Sequence, residues 1–141
     1  MDRISIYTDG GSRGNPGPGG AAYIIKDASG NTIAGRGAFM KNTTNNVAEY
    51  AALVGGLKAA TEMKCKEISI CSDSELMVKQ INGQYRVKNA KLKELYAKCM
   101  NFLSGFENWQ ITHIRREKNE EADALANRAM DAKGYVEAKI S

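Results

Sequence analysis

Residues 10–20 read GGSRGNPGPGG, directly after the alternating segment RISIYTD at residues 3–9. Proline lacks an amide donor and glycine is a poor helix former, so no helix crosses this junction. The period of two in RISIYTD puts Ile4, Ile6 and Thr8 on one side and Ser5, Tyr7 and Asp9 on the other, which is a strand. The chain therefore opens as a strand ending at Asp9, followed by a loop over residues 10–20.

Past that loop, residues 20–26 (GAAYIIK) and 31–40 (NTIAGRGAFM) read as two further strands, joined by a short hairpin turn at residues 27–30. Helical spacing follows over residues 46–63, with Tyr50, Leu53, Val54, Leu57 and Ala60 on one face. A short buried strand at residues 67–72, helices at 74–82 and 89–103, a fifth strand at 109–115 and a helix at 120–132 complete the order. The first three strands suit an antiparallel meander, and those separated by helices suit parallel pairing. The expected fold class is thus α/β: a mixed five-stranded sheet flanked by helices. Neither repeats nor a linker interrupt it, so residues 1–132 form one domain, and the pattern of the tail, 133–141, is too weak to assign.

The 141 residues suffice for one core. No apolar run approaches the ~20 residues of a membrane span. The charged start followed by alternation is unlike a secretory leader, so the expected location is cytoplasmic. Cys65, Cys71 and Cys99 are odd in number, widely spaced and without a CxxC pair, which reads as reduced, packed thiols rather than a zinc site. Lys and Arg exceed Asp and Glu by 20 − 16 = 4, a surplus compatible with a polyanionic partner. It is concentrated at Lys79, Arg86, Lys88, Lys91, Lys93 and Lys98, against Glu94 alone.

Four acids fall at element ends, where side chains can converge. Asp9 closes the first strand, Asp73 follows the fourth, and Glu49 and Asp123 sit in the first turns of the first and last helices. Each has a structural explanation. Asp9-Gly10 is a turn pair, Asn46 and Glu49 match a capping box, Asp73 suits helix amides, and Asp123 suits the positive end of its helix.

The words around these acids carry more. TDGGSRGNPGPGG, TTNNVAEY, SDS and NEEADALA occur in that order, and together they resemble the signature blocks of the type 1 ribonuclease H family over about residues 4–130. The resemblance implies a ribonuclease H-like fold and an endonuclease that hydrolyses the RNA strand of RNA–DNA hybrids, leaving 5′-phosphate and 3′-hydroxyl ends. It implies that Asp9, Glu49, Asp73 and Asp123 hold two Mg²⁺ ions, with Mn²⁺ as the alternative. Asp9 would be shared, Asp123 would hold the ion on the side of the attacking water, and Glu49 and Asp73 would hold the other. Oxygen-only donors suit such hard cations. By the same resemblance Gly10, Gly11 and Ser12 approach the RNA 2′-hydroxyls, the group that separates RNA from DNA. Asn45 and Asn46 contact nucleic acid near the scissile bond, and Asn15 and Thr44 touch backbone groups.

Two departures stand out. Many bacterial members carry a basic helical protrusion where this chain has only residues 83–88, so Arg86 and Lys88, with Lys91 and Lys93, are the candidates for a smaller phosphate-binding surface. Many members also carry a histidine in the loop before the last helix. Here that loop is Arg116-Glu117-Lys118, and Arg116 is the candidate to reach a phosphate or leaving oxygen. The sole histidine, His113, lies within the fifth strand, where a structural role is expected. The compact form leaves double-stranded RNA as a second candidate substrate. A non-catalytic hybrid-binding module is the rival from another class, and the four acids argue against it. A monomer is the default expectation.

Overall fold

The computed structural model describes residues 2–141. Six strands form one sheet: β1 (Arg3–Ser12), β2 (Gly17–Lys26), β3 (Thr32–Thr43), β4 (Glu67–Ser72), β5 (Asn108–His113) and β6 (Tyr135–Glu137), in the spatial order β5-β4-β1-β2-β3-β6. β1 pairs antiparallel with β2 and parallel with β4, and β4 pairs parallel with β5. Among the described residues the helices are α1 (Asn45–Glu62), α2 (Glu75–Ile81), α3 (Ala90–Leu103) and α4 (Glu120–Ala132), with a 3₁₀ turn at Arg116–Lys118.

The strand count is a correction to the five expected. The tail is ordered as an edge strand: Tyr135 to Glu137 pair with Arg36 to Ala38 of β3. The alignment continues as the Ala138 amide donates to the Gly35 carbonyl at 3.1 Å and the Ser141 amide to the Thr32 carbonyl at 3.0 Å. Three residues offer too short a period for sequence to register. Backbone pairing and the partial burial of Val136 and Ala138 against the cluster under α4 hold the segment.

β1 also runs further than expected. It passes through Gly10 and Gly11 to Ser12, and β2 begins at Gly17, so the glycine run is mostly strand and only residues 13–16 turn. Asp9 is therefore inside the strand and not at its end. Packing explains why glycine is used there. A Cβ at Gly10 would collide with the Ala48 carbonyl of α1, and one at Gly20 would lie 2.7 Å from the Ala126 carbonyl oxygen of α4. The missing side chains let both helices rest on the sheet backbone.

Each face of the sheet has its own core. On one, Ile4, Ile6, Ile68 and Ile70 pack against Tyr50, Leu53 and Leu57 of α1, all nearly or fully excluded from water. Each such side chain stabilises the fold by about 1.5–3 kcal/mol. A buried hydrogen bond of 2.7 Å from the Tyr50 hydroxyl to Gln80 Oε1 joins α1 to α2. On the other face a smaller cluster, Ala22, Ile24, Ala122, Leu125 and Ala126, seats α4. β1 lies between the two, so residues on it meet both helices. The cysteines are free thiols, Cys65 and Cys99 buried and Cys71 partly so. Among the described residues no helix is long and apolar enough to cross a membrane.

Candidate active site

The carboxyl ends of β1 and β4, where parallel strands of an α/β sheet habitually present ligands, open into a cleft of about 410 Å³. Asp9, Glu49, Asp73, Asp123 and Arg116 all line it, as do Gly10, Gly11, Ser12 and Asn45. Asp9, Glu49 and Asp73 each bring a carboxylate oxygen within 4.8 Å of the others. Asp123 stands just outside that tight group and lies against Asp9.

Each acid is delivered by local structure. Asp9 faces out of β1 on the α4 side. Asp73 sits on the bend after β4, where the Ser72 hydroxyl accepts the Ser74 amide at 3.0 Å and Ser74 in turn caps α2. Glu49 departs from expectation. The cap of α1 is Thr44, with extended backbone and its hydroxyl accepting the Val47 amide at 3.2 Å, so Asn46 is not the cap. That places Glu49 in the second helical turn, too far along to close a capping box. Its Oε1 accepts the Gly10 amide at 3.0 Å instead. The carboxylate belongs to the strand, made reachable by the absence of a side chain at Gly10.

The charge state records how crowded the acids are. Burial, the Asp73 charge and contact with Asp123 push Asp9 up to about 8. Glu49 is pushed up to about 9, first by burial and then by Asp9 and Asp73, while the Gly10 amide and the Arg116 guanidinium pull it part of the way back. Carboxylates under this strain are short of positive charge. An all-oxygen set so placed fits a hard divalent cation.

The neighbouring polar residues form a connected frame. Asn45 Oδ1 accepts from the Ser12 amide at 2.9 Å and the Ser12 hydroxyl at 3.2 Å, and the Asn45 amide donates to Asn15 Oδ1 at 3.1 Å. The start of α1, the end of β1 and the intervening hairpin are thereby held together. Asn15, Thr44 and Asn46 line an adjoining groove with Lys91. Arg86 lies elsewhere, in a depression with Tyr85 and Lys93, and Lys88 is exposed; neither lines the acidic cleft. His113 is exposed at the end of edge strand β5.

One residue escaped sequence reasoning as an individual. Asn119 is 2% exposed, and its Nδ2 donates to the Thr8 carbonyl at 2.8 Å. It bolts the start of α4 to the residue preceding Asp9, and so fixes the approach of Asp123, one turn along. It stands in the NEEADALA block, but nothing in the spacing says that an asparagine is buried there.

Sheet order, α1, α2 and α3 sharing the core on one face and α4 packed on the other, and acids gathered at the carboxyl strand ends define a class of α/β domain with a carboxylate cluster at its sheet edge. Comparison gives the family. Residues 7–129 match the reverse transcriptase-like family model. Ribonuclease HI of Halobacterium salinarum is 40% identical over 129 residues, 92% of this chain and 65% of that protein. A bifunctional protein of Mycobacterium tuberculosis is 38% identical over 92% of this chain and 36% of its own length. The N-terminal ribonuclease H domain of that protein superposes with a TM-score of 0.91, covering 94% of this chain and 96% of the solved one. A ribonuclease H1 isolated from compost, solved in complex with an RNA/DNA hybrid, is 44% identical with a TM-score of 0.88 over 92% and 98% of the two chains. The chain belongs to the ribonuclease H family, in its type 1 form. It spans under two thirds of the Halobacterium protein and about a third of the mycobacterial one.

Proposed function

We propose that this chain is an endonuclease that hydrolyses the RNA strand of RNA–DNA hybrids, leaving 5′-phosphate and 3′-hydroxyl ends. The observation that carries the reading is the convergence of Asp9, Glu49, Asp73 and Asp123 on one cleft. A pure binding module gains nothing from four carboxylates set beside phosphates, since they repel the ligand.

Asp9 would be shared between two Mg²⁺ ions, with Asp123 holding one and Glu49 and Asp73 the other. When bound, such a pair activates water on one side of the phosphorus and neutralises the leaving oxygen on the other. The residues of the chain do the remaining work. The Gly10 amide fixes one oxygen of Glu49, so that carboxylate is oriented before any cation arrives. Arg116, on the cleft wall, offers a cation to the phosphate or the leaving oxygen. Ser12 and Asn45, already bonded to each other, present a rigid polar edge to the ribose hydroxyls. Gly10 and Gly11 keep that edge free of bulk.

The test is cleavage of a hybrid labelled on its RNA strand, in Mg²⁺ and in Mn²⁺, beside Asp9→Asn. Fragments ending in 5′-phosphate and 3′-hydroxyl, lost in the variant, establish the reading. Parallel DNA and RNA duplexes report whether double-stranded RNA is also cut. Binding of the hybrid without cutting in either metal would sink the enzyme and leave a binding module.

A further inference from the structure

Two cations line the acidic cleft, Arg116 and Arg13. The mechanism uses Arg116 and leaves Arg13 without a task. We propose that Arg13 grips a nucleic-acid phosphate flanking the scissile one, which makes it a substrate-positioning residue on the α4 side of the cleft. The proposal rests on the hybrid-cleaving reading and adds a residue to it.

Arg13 begins the turn between β1 and β2, four residues beyond Asp9. Along a strand this is about 13 Å at about 3.3 Å per residue. That distance places it past the carboxylates, against a neighbouring phosphate and not the reacting one. Its guanidinium is aimed by α4: one terminal nitrogen lies 2.8 Å from Asp131 Oδ1 and 3.4 Å from Asn127 Oδ1. Asn127 is in turn fixed by a 2.9 Å bond from its Nδ2 to the Asp123 carbonyl. The arm is therefore oriented by the same helix that carries a candidate catalytic acid, from one and two turns beyond it. Among the described residues only that one nitrogen is engaged and the side chain is half exposed, which leaves the other donors of the planar fork open to an incoming phosphate.

The ordinary explanation is a tie between hairpin and helix. It is a weak one. Half of the Arg13 side chain and two thirds of that of Asp131 are exposed, and such pairs contribute about 0–1 kcal/mol. The hairpin is already secured by the Arg13 amide on the Pro18 carbonyl at 2.7 Å and by the Asn15–Asn45 bond. A polyanion entering a cleft of four carboxylates needs cations beside them, and Arg13 is the one placed on the far wall.

The test is steady-state cleavage of a short RNA–DNA hybrid in Mg²⁺ across a series of salt concentrations, with Arg13→Gln, Arg13→Lys and Asp131→Asn. For Arg13→Gln, KM rises roughly three- to tenfold while kcat holds, and the salt dependence of KM becomes shallower by about 0.7–0.9 in log–log slope, as for one lost phosphate contact. Arg13→Lys recovers the slope, because the point charge remains. Asp131→Asn removes the ion pair but spares the guanidinium and its contact with Asn127, so KM rises far less than in Arg13→Gln and the salt slope is kept. Equal weakening by Arg13→Gln and Asp131→Asn would show a structural tie and overturn the proposal, as would an unchanged slope in Arg13→Gln. A parent protein that cuts no hybrid would bring down the proposed function, and this inference with it.

Discussion

The acidic cleft and the basic segment between α2 and α3 carry opposite charges, and they differ more in how those charges are held. Asp9 and Glu49 are about nine-tenths buried and pressed against other acids, and Glu49 is pinned by the Gly10 amide. Arg86, Lys88, Lys91 and Lys93 are exposed. A buried charge takes its properties from its surroundings and cannot be replaced by a neighbour. An exposed one acts through a screened field that its neighbours share. Single changes should therefore be severe in the cleft and mild on the basic segment.

The largest expected effect is that of Asp9→Asn. The variant keeps the shape and loses a carboxylate that three other acids are arranged around, and kcat should fall by about 10³-fold or more in initial-rate assays. Retention of activity within tenfold would erase the distinction between the two regions. Next is Asn119→Ala, which leaves the Thr8 carbonyl buried without a donor. Urea unfolding should show a loss of about 1–3 kcal/mol, with a higher metal concentration needed for half-maximal rate. Stability lost without that second shift would mean that Asn119 holds the fold and not the site.

The third prediction concerns pH. Asp9 and Glu49 keep their protons up to about 8 and about 9, against ordinary values of 3.8 and 4.5. The folded chain thus binds protons that the unfolded chain has released. In chelator, stability from these groups is complete below pH about 4 and is lost as pH rises toward 8 and 9. Added Mg²⁺ takes the place of those protons, so its effect on Tm should grow with pH. Thermal melts with and without metal at several pH values check this, and Asp9→Asn should flatten the trend. The smallest effects belong to Arg86→Ala and Lys88→Ala. Each should cost no more than about 1 kcal/mol of hybrid binding and show mainly as a shallower salt dependence.

The same contrast explains what could be read from sequence. The order of strands and helices was legible because alternation and helical spacing are local. The four acids were legible because each stands in a distinctive word, and the words occur in order. The misses came where tertiary contact overrides local pattern. GGSRGNPGPGG has the composition of a loop, yet most of it is strand, because α1 and α4 demand a surface without side chains at Gly10 and Gly20. Asn46 and Glu49 have the spacing of a capping box, yet Thr44 caps α1 and Glu49 turns to Gly10. The pairing of β6 with β3 joins residues about a hundred positions apart, and nothing in YVE announces it.

The seat of α4 at Gly20 also governs how the cleft responds to heat. Side chains hop between rotamers on fast timescales, and a helix cushioned on them would drift with each hop. Here the Ala126 carbonyl would meet a Cβ at 2.7 Å, so at Gly20 the helix main chain comes directly against the strand main chain. The gap between Asp123 on the helix and Asp9 on the strand is set like the spacing of two machined parts clamped face to face. Warming the protein should loosen its exposed arms well before it alters that gap, so the site should stay in register until the sheet itself gives way.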